Sequence, residues 1–397
     1  MLTKTYNMRE SRPSLISKTL PGANSRVQSG AALVTALLIV ALITVTVTAM
    51  TAKQQRAIQL AQNRQTQLQL KNLASAGEKF AMATLRRDHV LAERNNSDST
   101  EDFWAESLPP LPVDGATVQG CVIDLQGKFN LNNLVDIEGN VDNEEYEILQ
   151  RLLTALTIDE TKADAIRDWI DPNIEVTGSN GAEDDFYTGQ TPGYRAANGP
   201  MVSPSELLLV KGFRVVDEGG LDDFDTLLPH IATLPTGAAI NVNTASSAVL
   251  ASLAPHMAAI ADEIKVVDDE YWLEFPDCPQ GGGLLDTLLD ADDDSDDPDQ
   301  AADAGQPENP EDESAGSLVY EDIEAFRNDA VGTEEDENLD NVINISVSSR
   351  YYMSRVTVSR DDINLTQYTI FEREPGGGTL RTLRRSRGSS SLIGFRR

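Results

Sequence analysis

The sequence predicts an α+β protein in which one long N-terminal helix and a small antiparallel sheet are interrupted by a large helical insert. Three observations predict it. A charge-free run from Ala31 to Ala52 leads into a helical pattern that ends between Arg87 and Asn95. Strand-like alternation appears at Thr117–Asp124 and returns only at Ile343–Ser349, Tyr351–Ser359 and Leu365–Phe371. Helical segments fill the roughly 200 residues in between, a stretch that is itself a domain's length, so one domain is inserted into another.

The N-terminal run comes first. Its 22 uncharged residues form a helix about 33 Å long, close to the roughly 30 Å of a bilayer's hydrocarbon. A cleavable secretory signal has an apolar region of about 7–15 residues followed by a small-residue cut site, and neither description fits. The basic residues precede the run, which places the N-terminus in the cytoplasm and the bulk of the chain outside that membrane. Thr44-Val45-Thr46-Val47-Thr48 suits a strand in water. In lipid the backbone must satisfy its own hydrogen bonds, so helix is expected.

Beyond the membrane, Leu70, Leu73, Gly77, Phe80 and Ala81 fall near one helical face, with Lys71, Glu78 and Lys79 elsewhere. Pro109, Pro110 and Pro112 read as a loop, and Gly127 as a turn. Helices are expected at Glu144–Leu156, Thr161–Ile170, Ser205–Val210, Ala245–Leu253 and Ser317–Arg327. Ser203-Pro204-Ser205-Glu206 has the form of a helix start. "FNLNNL" (Phe129–Leu134) and "INVNTASSAVLASL" (Ile240–Leu253) rhyme, each placing Asn, apolar, Asn before a helix, where the Asn side chains can cap it. The stretch from Asp286 to Glu313 is acidic and rich in Asp, Pro, Gly and Ser, as in a solvated disordered loop. From Pro375 the chain is basic, Gly/Ser-rich and expected to be mobile.

Net charge is −32 over 397 residues; the first 30 residues carry +4, which leaves −36 for the rest. Such a chain repels nucleic acid and attracts divalent cations. The two cysteines, Cys121 on an expected strand and Cys278 in an irregular segment of the insert, are a candidate disulfide in an oxidising periplasm. No enzyme motif is present. There are three histidines without HExxH, "QGGGLLDTLLD" lacks a phosphate-loop Lys, and no Gly-x-Ser-x-Gly appears.

The densest polar stretch is "DWIDPNIEVTGSNGAEDDFYTGQTPGYRAANGPMVSPSELLLVKGF", Asp168 to Phe213. Asp171, Asn173 and Glu175 are spaced by two on a segment broken by Pro172. Gly178, Asn180 and Gly181 allow a tight return to Glu183, Asp184 and Asp185. Calcium takes about six to eight hard oxygen ligands on a loop able to curl round it. The spacing is not that of the roughly twelve-residue EF-hand loop.

Two groups of residues carry a resemblance. Gly30 before the apolar run, behind a basic leader, resembles the cleavage signal of type IV pilins and pseudopilins, which implies cutting by a prepilin peptidase between Gly30 and Ala31. Met8 is a second candidate start. Thr35 stands where most of that family has Glu, the fifth residue after the cut. A membrane carboxylate costs about 2.5–3.5 kcal/mol unless paired, and in most members it pairs with the N-terminus of the subunit ahead. A Thr there suits a subunit with none ahead. "DWID", "GAED", "YRAAN", "SEL" and "GF" occur in that order in the type II secretion minor pseudopilin K family, which the chain resembles over most of residues 30–374.

That resemblance implies a type IV pilin-like helix and sheet interrupted by a large helical (SAM-like) insert. Its boundaries are a leader at 1–30, a transmembrane helix at 31–52 and a stem helix with first strands at 53–134. The insert follows at 135–335, with the acidic disordered loop at 286–316, then C-terminal strands at 336–374 and a flexible basic tail at 375–397. It implies structural calcium at Asp171, Asn173, Glu183 and Asp184, extended by Glu175 and Asp185, with Arg195 pairing a nearby carboxylate. It also implies a tip-capping role that starts pseudopilus assembly for protein export. The partners implied are minor pseudopilins I and J, the major pseudopilin fibre, prepilin peptidase, and the secretin or exported substrate. Alternatives are a type IV pilus or DNA-uptake minor pilin that reads nucleic acid through "INVNTAS", against which Ile240–Leu253 holds no Lys or Arg, and a membrane-anchored hydrolase using the carboxylate cluster.

Overall fold

The computed structural model describes residues 28–91, 97–267, 271–272, 278, 319–331, 339, 342, 344–374 and 379–388. The leader up to residue 27, the acidic loop at 286–316 and the last nine residues lie outside them.

Helix α1 runs from Gln28 to Leu91. It crosses the boundary between two units, 1–67 and 68–397. In the first unit the Thr/Val run is helical, as expected. Its hydroxyls close onto the preceding turn: Thr44 donates to the Val40 carbonyl at 2.8 Å, Thr48 to Thr44 at 2.8 Å and Thr51 to Val47 at 2.9 Å. Such bonds leave no polar group for a lipid environment to satisfy. Leu33, Leu37, Leu38 and Ile39 are exposed. This is the helix, among the described residues, that is long and apolar enough to cross a membrane.

In the second unit, α1 buries Leu70, Ala74, Ala81 and Leu85 against a sheet. The stripe follows the helical period, though Leu73 is half-buried and Phe80 exposed. Gly77 is the point of closest approach, where an added Cβ would lie 2.6 Å from Cγ1 of Val356. Glu78 departs from expectation. It is 5% exposed because the last strand brings it a cation.

The sheet has five antiparallel strands in the order β1 (Leu108–Val113), β2 (Ala116–Asp124), β7 (Tyr351–Arg360), β8 (Ile363–Arg373), β9 (Leu380–Arg387). Strands β2 and β7 are neighbours, paired from Thr117↔Ser359 to Asp124↔Tyr352, with the insert between them in sequence. The split sheet is therefore as predicted, but both its edges correct the sequence reading. The Pro109-Pro110-Pro112 segment is a bulged edge strand, not a loop. Prolines, which cannot donate to a ladder, are tolerated there. The start of the basic tail is strand β9, held by ladder bonds to β8 and by Arg381 on Glu372 and Arg387 on Gln367.

The insert holds α2 (Asn143–Ala155), α3 (Lys162–Ile170), α4 (Asp184–Thr188), α5 (Gly220–Leu227), α6 (Ser247–Ser252), α7 (Met257–Ile264) and α8 (Ile323–Asp329). Asp142 caps α2, accepting from the Glu144 and Glu145 amides. The Ser203 start forms a capping box with Glu206, but it opens a 3-10 turn at Pro204–Leu209. Helices α4, α5 and α7 fall outside the segments expected to be helical. One core joins these elements, with Leu149, Leu152, Ile166, Trp169, Tyr187 and Phe213 buried.

Two short parallel pairs connect the insert: β3 (Phe129–Asn130) with β4 (Ile231–Ala232), and β5 (Ile240–Asn241) with β6 (Ile345–Ser346). Residues 345–346 thus leave the large sheet to which the sequence assigned them. The rhyming asparagines are staples more than caps. Asn132 donates to the Met201 and Leu234 carbonyls and accepts from the Met201 amide. Asn243 exchanges two bonds with the Tyr320 backbone. Asn130 does cap its 3-10 turn, while Ser246 caps α6. Cys121 on β2 and Cys278 are disulfide-bonded, with Cα atoms 5.6 Å apart.

Candidate metal centre

Helix α3 leads into a second acidic loop, at 171–185, and shapes it. Asp164, Asp168 and Asp171 stand at i, i+4 and i+7, which places them along one helical side. Asp164 accepts from the Ser179 and Asn180 amides at 3.0 and 3.1 Å. Asp168, wholly buried, accepts from Thr177 at 3.1 Å and Ala182 at 2.8 Å. The loop is thereby wound round two carboxylates that the sequence reading passed over, although their helical spacing was visible. Gly178, at φ +54°, allows this approach, since an added Cβ would lie 2.2 Å from Asp164 Oδ2.

The wrapping leaves several oxygens without partners. Asp171 is fully buried; its Oδ1 accepts from the Asn173 amide, and its Oδ2 has no hydrogen bond. Neither carboxylate oxygen of Glu183 has a partner, though the residue is 4% exposed. Asn198 Oδ1 is also buried and unpartnered, while its Nδ2 donates to the Asn173 carbonyl. Asp184 accepts from the Ala196 amide and pairs with Arg195 at 3.5 Å. Arg195 is largely exposed, so that pair contributes little.

Burial raises the Asp171 pKa to about 6, and the Asp168 charge adds to the effect. Burial raises Glu183 to about 7, helped by Asp168, Asp171 and Asp184. Orphaned buried oxygens that repel one another are what a hard cation relieves, so the residues present fit calcium. The predicted set divides here. Asp171 and Asp184 lie close enough to Glu183 for their charges to act on it, and Asn198 is tied to the same loop through the Asn173 carbonyl. The side chains of Asn173, Glu175 and Asp185 are exposed. Asn173 Oδ1 turns back to the Glu175 amide at 2.6 Å. No three loop carboxylates approach within 4.8 Å of one another among the described residues.

The loop's aromatic residues, Trp169, Phe186 and Tyr187, are packing groups. Trp169 meets Tyr187 edge-on at 5.2 Å, and Phe186 meets Tyr187 likewise. At the N-terminus, Gly30 and Ala31 lie within α1, and Thr35 Oγ1 donates to the Ala32 carbonyl at 3.0 Å. The nucleic-acid reading of "INVNTAS" meets a correction: Asn241 and Asn243 are fully buried and bonded within the protein, so they present nothing to a phosphate.

A long helix on a five-stranded sheet with an insert between adjacent strands defines a class. A chain of the crystal structure of the GspK-GspI-GspJ complex from the enterotoxigenic Escherichia coli type 2 secretion system has the same fold. Its TM-score is 0.54 at 20% identity, over 83% of this chain and 99% of that one. A family model described as "Type II secretion system (T2SS), protein K" matches residues 127–236, which include the acidic loop. Type II secretion system protein K of Pseudomonas aeruginosa is 36% identical over 236 residues, 57% of this chain and 68% of its own length. The Klebsiella pneumoniae protein of the same name is 33% identical over 239 residues, 57% of this chain and 71% of its own length. The chain belongs to the type II secretion system protein K family.

Proposed function

We propose that this minor pseudopilin caps the tip of a periplasmic pseudopilus and helps start its assembly for export of folded proteins across the outer membrane. The observation that carries the reading is Thr35. Its hydroxyl is satisfied within its own helix, so it asks for no charged partner ahead of it, as a buried Glu would. The insert between β2 and β7 supports the same reading, since it adds bulk that stacking within a fibre would not accommodate. Prepilin peptidase would cut between Gly30 and Ala31 and leave α1 as a single inner-membrane anchor. Minor pseudopilins I and J are the direct partners in this reading, with the major fibre below and the secretin or exported substrate beyond.

Structural calcium belongs to the proposal. Asp171, Glu183 and Asn198 would hold it, with Asp184 beside them, and its charge would neutralise carboxylates that the fold buries together. No turnover is assigned to this site.

The test is mass spectrometry of the mature chain together with affinity recovery of the full chain from membranes. A mature N-terminus at Ala31, dependent on prepilin peptidase, and recovery of I-type and J-type pseudopilins are expected. A chain that still begins at its initiator, or recovery of neither partner type, would overturn the proposal.

A further inference from the structure

A second acidic group lies outside the insert's loop. Asp88 on α1, Asp98, and Asp102 ahead of β1 place carboxylate oxygens within 4.8 Å of one another. Asp98 accepts from the Ser349 amide at 2.7 Å and pairs with Arg373. Asp102 Oδ2 accepts from the Ser99 amide at 2.6 Å and from Trp104 Nε1 at 3.2 Å. Asp88 is different. It is 6% exposed, it sits in the last turns of a helix whose C-terminal end disfavours anions, and its buried Oδ2 has no partner. Arg373 is spent on Asp98, the Ser349 carbonyl and the Tyr352 hydroxyl.

Among the described residues, three carboxylates against one guanidinium leave an excess of two negative charges in a buried place. We propose that Asp88, Asp98 and Asp102 bind one divalent cation, calcium by the chemistry of an all-oxygen set. An oxygen spacing under 4.8 Å is what ligands about 2.3–2.6 Å from one ion produce. An ionised carboxylate accepts about four bonds, so Asp98 and Asp102 keep capacity beyond their protein partners. Burial and the two neighbouring acids also raise the Asp88 pKa to about 7, opposed by Arg373. The ion would fasten the end of the stem helix to the segment that leads into β1 and, through Asp98 and Arg373, to β8. It is separate from the loop site and does not depend on it.

Trp104 supplies the readout, because an indole against Asp102 sensitises terbium emission. The full chain in detergent, stripped of metal, is titrated with calcium by calorimetry and with terbium under tryptophan excitation. Glu183→Gln serves as the parent, so that the loop near Trp169 does not contribute. The parent should retain one calcium equivalent, and Asp88→Asn in that background should lose it. Trp104→Phe in the parent should keep the equivalent but cut sensitised emission at least twofold. Binding undiminished by Asp88→Asn, or emission unchanged by Trp104→Phe, would overturn the proposal. So would an Asp88→Asn melting temperature above the parent's with no response to calcium, which marks a protonated carboxyl instead.

Discussion

Glu78 on the stem helix and Arg385 on the last strand form a two-point ion pair across 307 residues of sequence, with Arg385 Nε 2.7 Å from Oε2 and Nη2 on Oε1. The glutamate side chain is 6% exposed and the arginine 44%, and Gln367 and Thr369 also donate to Oε2. Arg385→Ala should lower stability by about 1–3 kcal/mol, because the buried acid loses its cation and keeps only neutral donors among the described residues. Arg385→Lys should recover less than half of that, since it lacks the planar fork. Thermal unfolding of both variants checks this.

Glu145 on α2, away from the acidic loop, makes stability respond to pH. Its Oε1 accepts from Asn344 and Asn133, its Oε2 has no partner, and burial raises its pKa from 4.5 to about 7. A raised folded pKa means that the contribution is fully present below the unfolded value and is lost as pH climbs through the folded one. Between pH 5 and 8 the chain should therefore lose up to about 3 kcal/mol that Glu145→Gln does not lose. Denaturant melts at the two pH values give the comparison, and parallel curves would reject it.

Chelation should act through Glu183. At pH 7.5, excess EDTA is expected to lower the melting temperature by at least about 4 °C, the shift of a 1–2 kcal/mol loss in a domain of this size. Glu183→Gln should shrink that response by half or more and remove one calcium equivalent in calorimetry. An unchanged response would place the ion elsewhere.

The disulfide should matter because it closes a long loop of chain. Cys121 and Cys278 are 157 residues apart, so Cys278→Ser should cost about 2–5 kcal/mol, chiefly by freeing the unfolded chain. Reductant should reproduce the effect in the wild type and leave the variant unmoved.

Local periodicity and composition determined much of this protein. The uncharged N-terminal run, the Leu70 to Ala81 stripe, strands β2, β7 and β8, helices α2 and α3 and the acidic character of the 171–185 loop are all patterns that a few neighbouring residues impose. What pairs with what was decided in three dimensions. The proline segment became β1 and the basic segment β9 because β2 and β8 offered open edges. The asparagines became staples because Met201, Leu234 and Tyr320 arrived from distant sequence. Asp171 and Glu183 were buried while Glu175 and Asp185 stayed in water because α3 set the loop's direction. Spacing along a chain fixes which residues share a face, but burial and pairing depend on partners from outside the local window, such as Met201 and Leu234 at 69 and 102 residues from Asn132, and those partners leave no mark on the local pattern.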